Sequence, residues 1–260
     1  MSGIHIRAQA VIQIFDDFSG KAVGAGMVRP VLPQNAWMVA KENGIYVLGG
    51  LVPDQNSGKC VIELKSPVYE SFFCELPVAS GECPCIRVRM TPSASMPVPP
   101  GTTVLEGKEE PGTRVMVICI YPASEMKLLK DAQGEKIQIY REHGEELGGR
   151  TIAFFEKGKF SEAVRVVYED EGFSVLEQPV KKIYRRAGTG IYCVQEIKTD
   201  DRGNFYLWLN RIPDSGCECV ILTEKNGEII REYKEQIQPG IRNRFSAYET
   251  GKKAGKREDK

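Results

Sequence analysis

The residues best equipped for chemistry are the cysteines. There are eight in 260 residues, and four of them form two C-x-C pairs, Cys83-Pro84-Cys85 and Cys217-Glu218-Cys219. In a strand, positions i and i+2 face the same side, so each pair can chelate. Two such pairs supply the four thiolates of a tetrahedral zinc site. Against this, zinc ribbons and fingers usually use C-x2-C knuckles, and the two pairs fall in different expected domains. Cys60, Cys74, Cys119 and Cys193 lie in apolar runs and read as small core residues. Buried, reduced thiols are therefore the expectation, with metal binding and disulfides as the alternatives.

The other candidates are weaker. The only two histidines are His5 and His143. His5 alternates with Ile4 and Ile6, and His143 lies in the polar run Arg141-Glu142-His143-Gly144-Glu145-Glu146. A Ser–His or Cys–His nucleophile needs a histidine held by a third group beside a cleft, and neither neighbourhood marks one. Asp16-Asp17 and Asp200-Asp201 are paired carboxylates that suit calcium, but no twelve-residue loop with ligands at alternating positions surrounds them. Turn formation is the simpler role for both pairs. Gly24-Ala25-Gly26 has a phosphate-loop look without the strand and helix such a loop requires. Lys181-Lys182 with Arg185-Arg186, and Lys252, Lys253, Lys256 and Arg257, are basic clusters without interleaved aromatics, so they read as solvated surface rather than a nucleic-acid face. No catalytic, cofactor-binding or metal-binding residue is expected.

The elements that carry these residues are strands. Asn204 to Asn210 holds Phe205, Tyr206, Leu207, Trp208 and Leu209, a run suited to a mostly buried strand. Asp200-Asp201-Arg202-Gly203 before it and Pro213-Asp214-Ser215-Gly216 after it are turn signals, and Cys217 to Leu222 is the returning strand. Gly44 to Leu64 repeats the pattern. Gly44-Ile45-Tyr46-Val47-Leu48 matches Gly203-Asn204-Phe205-Tyr206-Leu207, Pro53-Asp54 matches Pro213-Asp214, Ser57-Gly58 matches Ser215-Gly216, and Cys60-Val61-Ile62 matches Cys219-Val220-Ile221. This points to an internal duplication.

Further strands are expected in the first ninety residues, about seven in all, enough for a small sandwich. Residues 91–102, TPSASMPVPPGT, hold four prolines and read as a stiff linker. The expected organisation is a β-sandwich over 1–90, the linker, a second, elaborated sandwich over 103–248 whose apolar pattern fades from Arg244, and a charged, disordered tail over 249–260. Residues near 122–185 look like an insertion in the second copy, opened by a short helix with Ser124 as its N-cap. The class is all-β: two transthyretin-like or immunoglobulin-like sandwiches in tandem.

Composition bounds the partners. Hydrophobic residues make up 42% and charged residues 27%, enough for a full core. Lys+Arg 35 balances Asp+Glu 35, so no global field favours nucleic acid or membrane. The start MSGIHIRAQAVIQIF lacks the uninterrupted apolar region of a signal peptide, and no run approaches a membrane span. A cytoplasmic chain is expected.

Thr199-Asp200-Asp201-Arg202-Gly203-Asn204-Phe205 resembles the signature turn and strand of carboxypeptidase regulatory-like domains, which are transthyretin-like β-sandwiches. Asp16-Asp17-Phe18-Ser19-Gly20-Lys21-Ala22-Val23 resembles the opening turn of that family, and Asn43-Gly44-Ile45-Tyr46 its G-x-aromatic strand. The resemblance covers most of residues 5–80 and part of 185–240. It implies a non-enzymatic accessory, adhesive or assembly module. The order of sandwich, then Pro97-Val98-Pro99-Pro100-Gly101-Thr102-Thr103, then a second domain with a T-D-x-R-G-x-F strand resembles accessory proteins of phage-tail-like contractile injection particles. The expected function is structural, through protein partners in a larger assembly or a homo-oligomer. The alternative is a carbohydrate or cell-surface ligand module in which Trp37, Tyr69 and Tyr184 stack on sugars.

Overall fold

The computed structural model describes residues 7–24, 26–78, 83–141 and 146–246. His5, His143 and the basic tail lie outside them. The fold is all-β, as expected. In chain order the first seven strands are β1 (Ala10–Asp16), β2 (Arg29–Val31), β3 (Trp37–Ala40), β4 (Ile45–Gly49), β5 (Lys59–Lys65), β6 (Phe72–Pro77) and β7 (Cys85–Met90). Next come β8 (Thr103–Lys108) and β9 (Arg114–Ile120). They are followed by β10 (Met126–Leu128), β11 (Lys136–Ile137), β12 (Ile139–Tyr140), β13 (Thr151–Glu156), β14 (Lys159–Asp170) and β15 (Phe173–Leu176). The last are β16 (Thr189–Lys198), β17 (Asn204–Leu209), β18 (Cys217–Lys225), β19 (Glu228–Ile237) and β20 (Arg242–Ser246).

The chain divides into two compact units: residues 1–97 with 126–191, and residues 98–125 with 192–260. Residues 126–191, expected inside a contiguous second domain, thus group with the N-terminal sandwich. Side-chain contacts within the first unit account for this. Arg150 Nη1 lies 3.2 Å from Asp17, Arg87 pairs with Glu146, Arg89 donates to the Gly148 carbonyl at 3.2 Å, and the Arg165 guanidinium covers the Phe72 ring.

The first seven strands form two sheets, β3-β4-β1-β7 and β2-β5-β6. One core lies between them, drawing Ile12, Leu48 and Val88 from the larger sheet and Ile62, Leu64 and Leu76 from the smaller. Period-two burial makes this possible: β5 reads buried at Cys60, Ile62 and Leu64 and more open at the residues between. The second unit builds its own core between β17-β8-β20 and the neighbours β16-β9-β18-β19. Leu105, Phe205, Leu207 and Phe245 face Val115, Val117, Cys219 and Ile221 across it.

The two cores share a pairing scheme. β1 runs antiparallel to β4 and parallel to β7; β8 runs antiparallel to β17 and parallel to β20. β2 pairs β5 and β5 pairs β6; β9 pairs β18 and β18 pairs β19. One strand breaks the match, since β3 stays on β4 whereas β16 joins β9. The turn before the matched hairpin also recurs. The Lys41 amide donates to the Ile45 carbonyl and the Asp200 amide to the Asn204 carbonyl. Both turns close on a left-handed glycine, Gly44 at φ 67° and Gly203 at φ 81°. A Cβ there would come within 2.5 Å of the Ile14 carbonyl oxygen or 2.0 Å of that of Glu109, so glycine is required on two counts.

Two local expectations fail. No helix forms after β9: Pro122–Ser124 is a single 3-10 turn, followed at once by β10. Met126 and Leu128 are buried with Lys127 exposed between them, a period of two, and Lys127 pairs with Tyr140 and Gly190. Ser124 instead braces β9, its Oγ donating to the Cys119 carbonyl at 2.9 Å. Apolar pattern was expected to fade from Arg244, yet β20 runs through Phe245, which is 4% exposed.

Candidate functional site

The densest set of reactive side chains lies in the second unit. Cys119 on β9 and Cys219 on β18 are register partners, and their sulfurs are 3.0 Å apart. Cys217, two residues earlier on β18 and so on the same face, places its sulfur 3.9 Å from that of Cys219. All three sulfurs lie within 4.8 Å of one another. Cys217 and Cys219 are buried and Cys119 half-buried. Tyr121 and Ile212 pack against this core beside Cys119.

Hydrogen bonding among the three thiols sets the order in which they ionise. Hydrogen bonding with Cys119 first, and Cys219 next, pulls the Cys217 thiol below the ordinary range. Hydrogen bonding with Cys119, then with Cys217, pushes Cys219 up, so Cys217 is the first to ionise. Burial raises the Tyr121 hydroxyl, with the charges of Cys119, Cys217 and Cys193 adding to that effect and Arg211 opposing it. Three converging thiols can ligate a soft metal ion, exchange disulfides or pack as inert core.

The expected C-x-C pairs are only half represented here. Cys217 and Cys219 belong to the second unit, whereas Cys83 and Cys85 are exposed residues of the first. Cys119 was read as core and not linked to Cys219. Nothing local in RVMVICIY announces a partner 100 residues away. Cys74 matches its reading as core: burial pushes its thiol up to about 12.

The carboxylate pairs are taken up by the fold. Asp16 accepts the Tyr69 hydroxyl at 2.8 Å and the Ser19 amide, while Asp17 pairs with Arg150. Asp200 accepts the amides of Arg202 at 2.9 Å and Asn204 at 2.7 Å. Hydrogen bonds from the Asn204 side chain and backbone lower its carboxyl below the usual range. These are turn-forming aspartates. A buried carboxylate that sequence reasoning passed over is Glu109, 1% exposed. It accepts from Arg231 at 3.0 Å and from the Tyr233 hydroxyl at 3.4 Å.

The basic cluster is matched by acids. Arg185 lies 2.8 Å from Asp131, Lys182 pairs with Glu156, and the amides of Arg186 and Lys181 donate to Asp131 and Glu162. After Gly24 and Gly26 the chain turns into β2, so no phosphate loop forms. The sugar-stacking aromatics are not displayed together. Tyr69 and Tyr184 are 5% and 1% exposed, and the half-buried Trp37 ring lies over Gly49.

The surface offers a different feature. On the outer face of β2-β5-β6, Val31, Val61 and Phe73 are 44%, 56% and 65% exposed. Glu63 is the register partner of both Val31 and Phe73. Val61 lies opposite Glu75, which pairs with Lys59 at 2.7 Å. Among the described residues, no helix is long and apolar enough to cross a membrane. Known protein families and curated proteins provide no match to the chain.

Proposed function

We propose that the protein is a non-enzymatic structural or assembly component that makes protein–protein contacts through its β-sandwich modules. The outer face of β2-β5-β6 carries the reading. It presents Val31, Val61 and Phe73, with Glu63 between Val31 and Phe73 and the Lys59–Glu75 pair beside Val61. Exposed apolar side chains gathered among charged ones on one sheet face are the mark of an interaction surface. β6 ends its sheet and leaves one row of backbone groups for strand addition. The recurrent pairing scheme supports an origin of the two cores by internal duplication. It is also consistent with the carboxypeptidase regulatory-like resemblance, whose members serve as accessory modules. The separate resemblance in domain order, a sandwich, a proline-rich segment and a second domain, makes a phage-tail-like particle the first assembly to test.

The experiment is an affinity pull-down of the tagged protein from its native host, with negative-stain microscopy of the eluate and Phe73→Asp in parallel. The expected result is a defined partner or particle retained by the parent and lost by Phe73→Asp, whose melting curve is unchanged because the side chain is exposed. A bare monomer from both, or equal capture by both, would overturn the reading.

A further inference from the structure

We infer that Cys119, Cys217 and Cys219 form a binding site for a divalent thiophilic metal ion, Zn2+ being the ordinary one. The inference is independent of the assembly role and uses different residues.

Two features support it. The first is geometry. Thiolates on a tetrahedral zinc, each about 2.3 Å from the metal, sit about 3.8 Å apart. Cys217 and Cys219 already stand at 3.9 Å, and the Cys119 sulfur, 3.0 Å from that of Cys219, has to move about 0.8 Å away from it to match. Two ligands come from one strand and the third from its register partner, so the sheet itself holds the donor set. The second is ligand type. An all-sulfur set selects soft or borderline ions over calcium or magnesium.

Binding displaces the thiol protons to solvent, so affinity rises with pH. Cys119 is only half-buried and marks the entry side, where a water or a partner's side chain completes the fourth position. Three protein ligands and one open position are the pattern of an exchangeable zinc site rather than a closed one.

The test uses the full-length reduced chain carrying Cys83→Ser and Cys85→Ser, which removes the exposed C-x-C pair. Titration with Co2+ reads the thiolate-to-cobalt charge-transfer band and the d–d bands of a tetrahedral site, and Zn2+ is then added as competitor. One equivalent of Co2+, displaced by Zn2+, is expected, with a rise in melting temperature on Zn2+ addition. Adding Cys119→Ser should weaken binding at least tenfold and remove the melting shift, with the far-ultraviolet circular dichroism unchanged. Cys217→Ser gives the same readout should Cys119→Ser fail to fold. The inference fails if the folded parent shows no charge-transfer band, or if both variants bind as the parent does. A Cys119–Cys219 disulfide with no retained metal, in protein purified without reductant, would also overturn it.

Discussion

The N-terminal sandwich and the second unit pair their strands in the same way and bury them differently. In β5 only alternate residues are buried, and Val61 between them is 56% exposed. In β18, Val220 and Leu222 are buried along with Cys219 and Ile221. Met116 and Ile118 on β9 are buried on the same side as Val220 and Leu222. One sheet therefore keeps an open face, and the other is covered on both at β9 and β18. A pairing scheme sets which backbones meet; what lies over the outer face sets which side chains a strand can carry. The open face is the one suited to partners, and the doubly buried strand is the one that concentrates thiols.

The comparison is most sharply tested at its shared turn. Gly203→Ala should destabilise by about 3 kcal/mol, because it combines a positive φ with a clash against the Glu109 carbonyl. Gly44→Ala should follow closely behind. Gly20→Ala, at φ 69° in open space, should lose only about 1 kcal/mol. Urea denaturation of the three variants checks the order, and a silent Gly203→Ala would mean the two turns are not equivalent.

The next effect is at matched strand positions. Val220→Ala should lose about 2 kcal/mol, since Val220 is 1% exposed and leaves a cavity. Val61→Ala should change stability by less than about 0.5 kcal/mol. Equal losses would show that the outer face of β5 is covered in solution and would count against the proposed docking surface.

The smallest effect distinguishes the turns by charge. The Asp200 carboxyl is lowered below its ordinary 3.8. Its stabilisation is therefore complete above that value and is lost as pH falls through the folded-state value. Lys41 occupies the equivalent place in the first turn and adds no acid-labile carboxylate. Asp200→Ala should thus lower the melting temperature slightly at neutral pH and converge on the parent well below pH 3.8. A difference that persists unchanged into strong acid would assign the effect to something other than the ionised carboxylate.

Much of this was legible in the sequence. CIRVRM, KCVIEL and NFYLWL announce strands because alternation or dense β-branched and aromatic content leaves the backbone little else to do. The matched hairpins were visible because their glycines and aspartates answer local backbone demands. The helix expected after Tyr121 failed because proline and serine are as much at home in a tight turn, and because Met126 and Leu128 found strands to pair with. β19 escaped notice: EIIREYKEQI is an exposed strand whose charges report solvent rather than fold.

The sequence by itself determined the class of the molecule, most strand positions and the two repeated turns, because each depends on residues within a few positions of one another. Tertiary structure alone decided that residues 126–191 join the N-terminal unit, that β16 leaves the place β3 holds in the first unit, and that Cys119 meets Cys217 and Cys219. Those outcomes depend on strand registers set across a hundred residues, where the pairing energy comes from backbone hydrogen bonds common to every sequence and the choice of partner comes from the whole core.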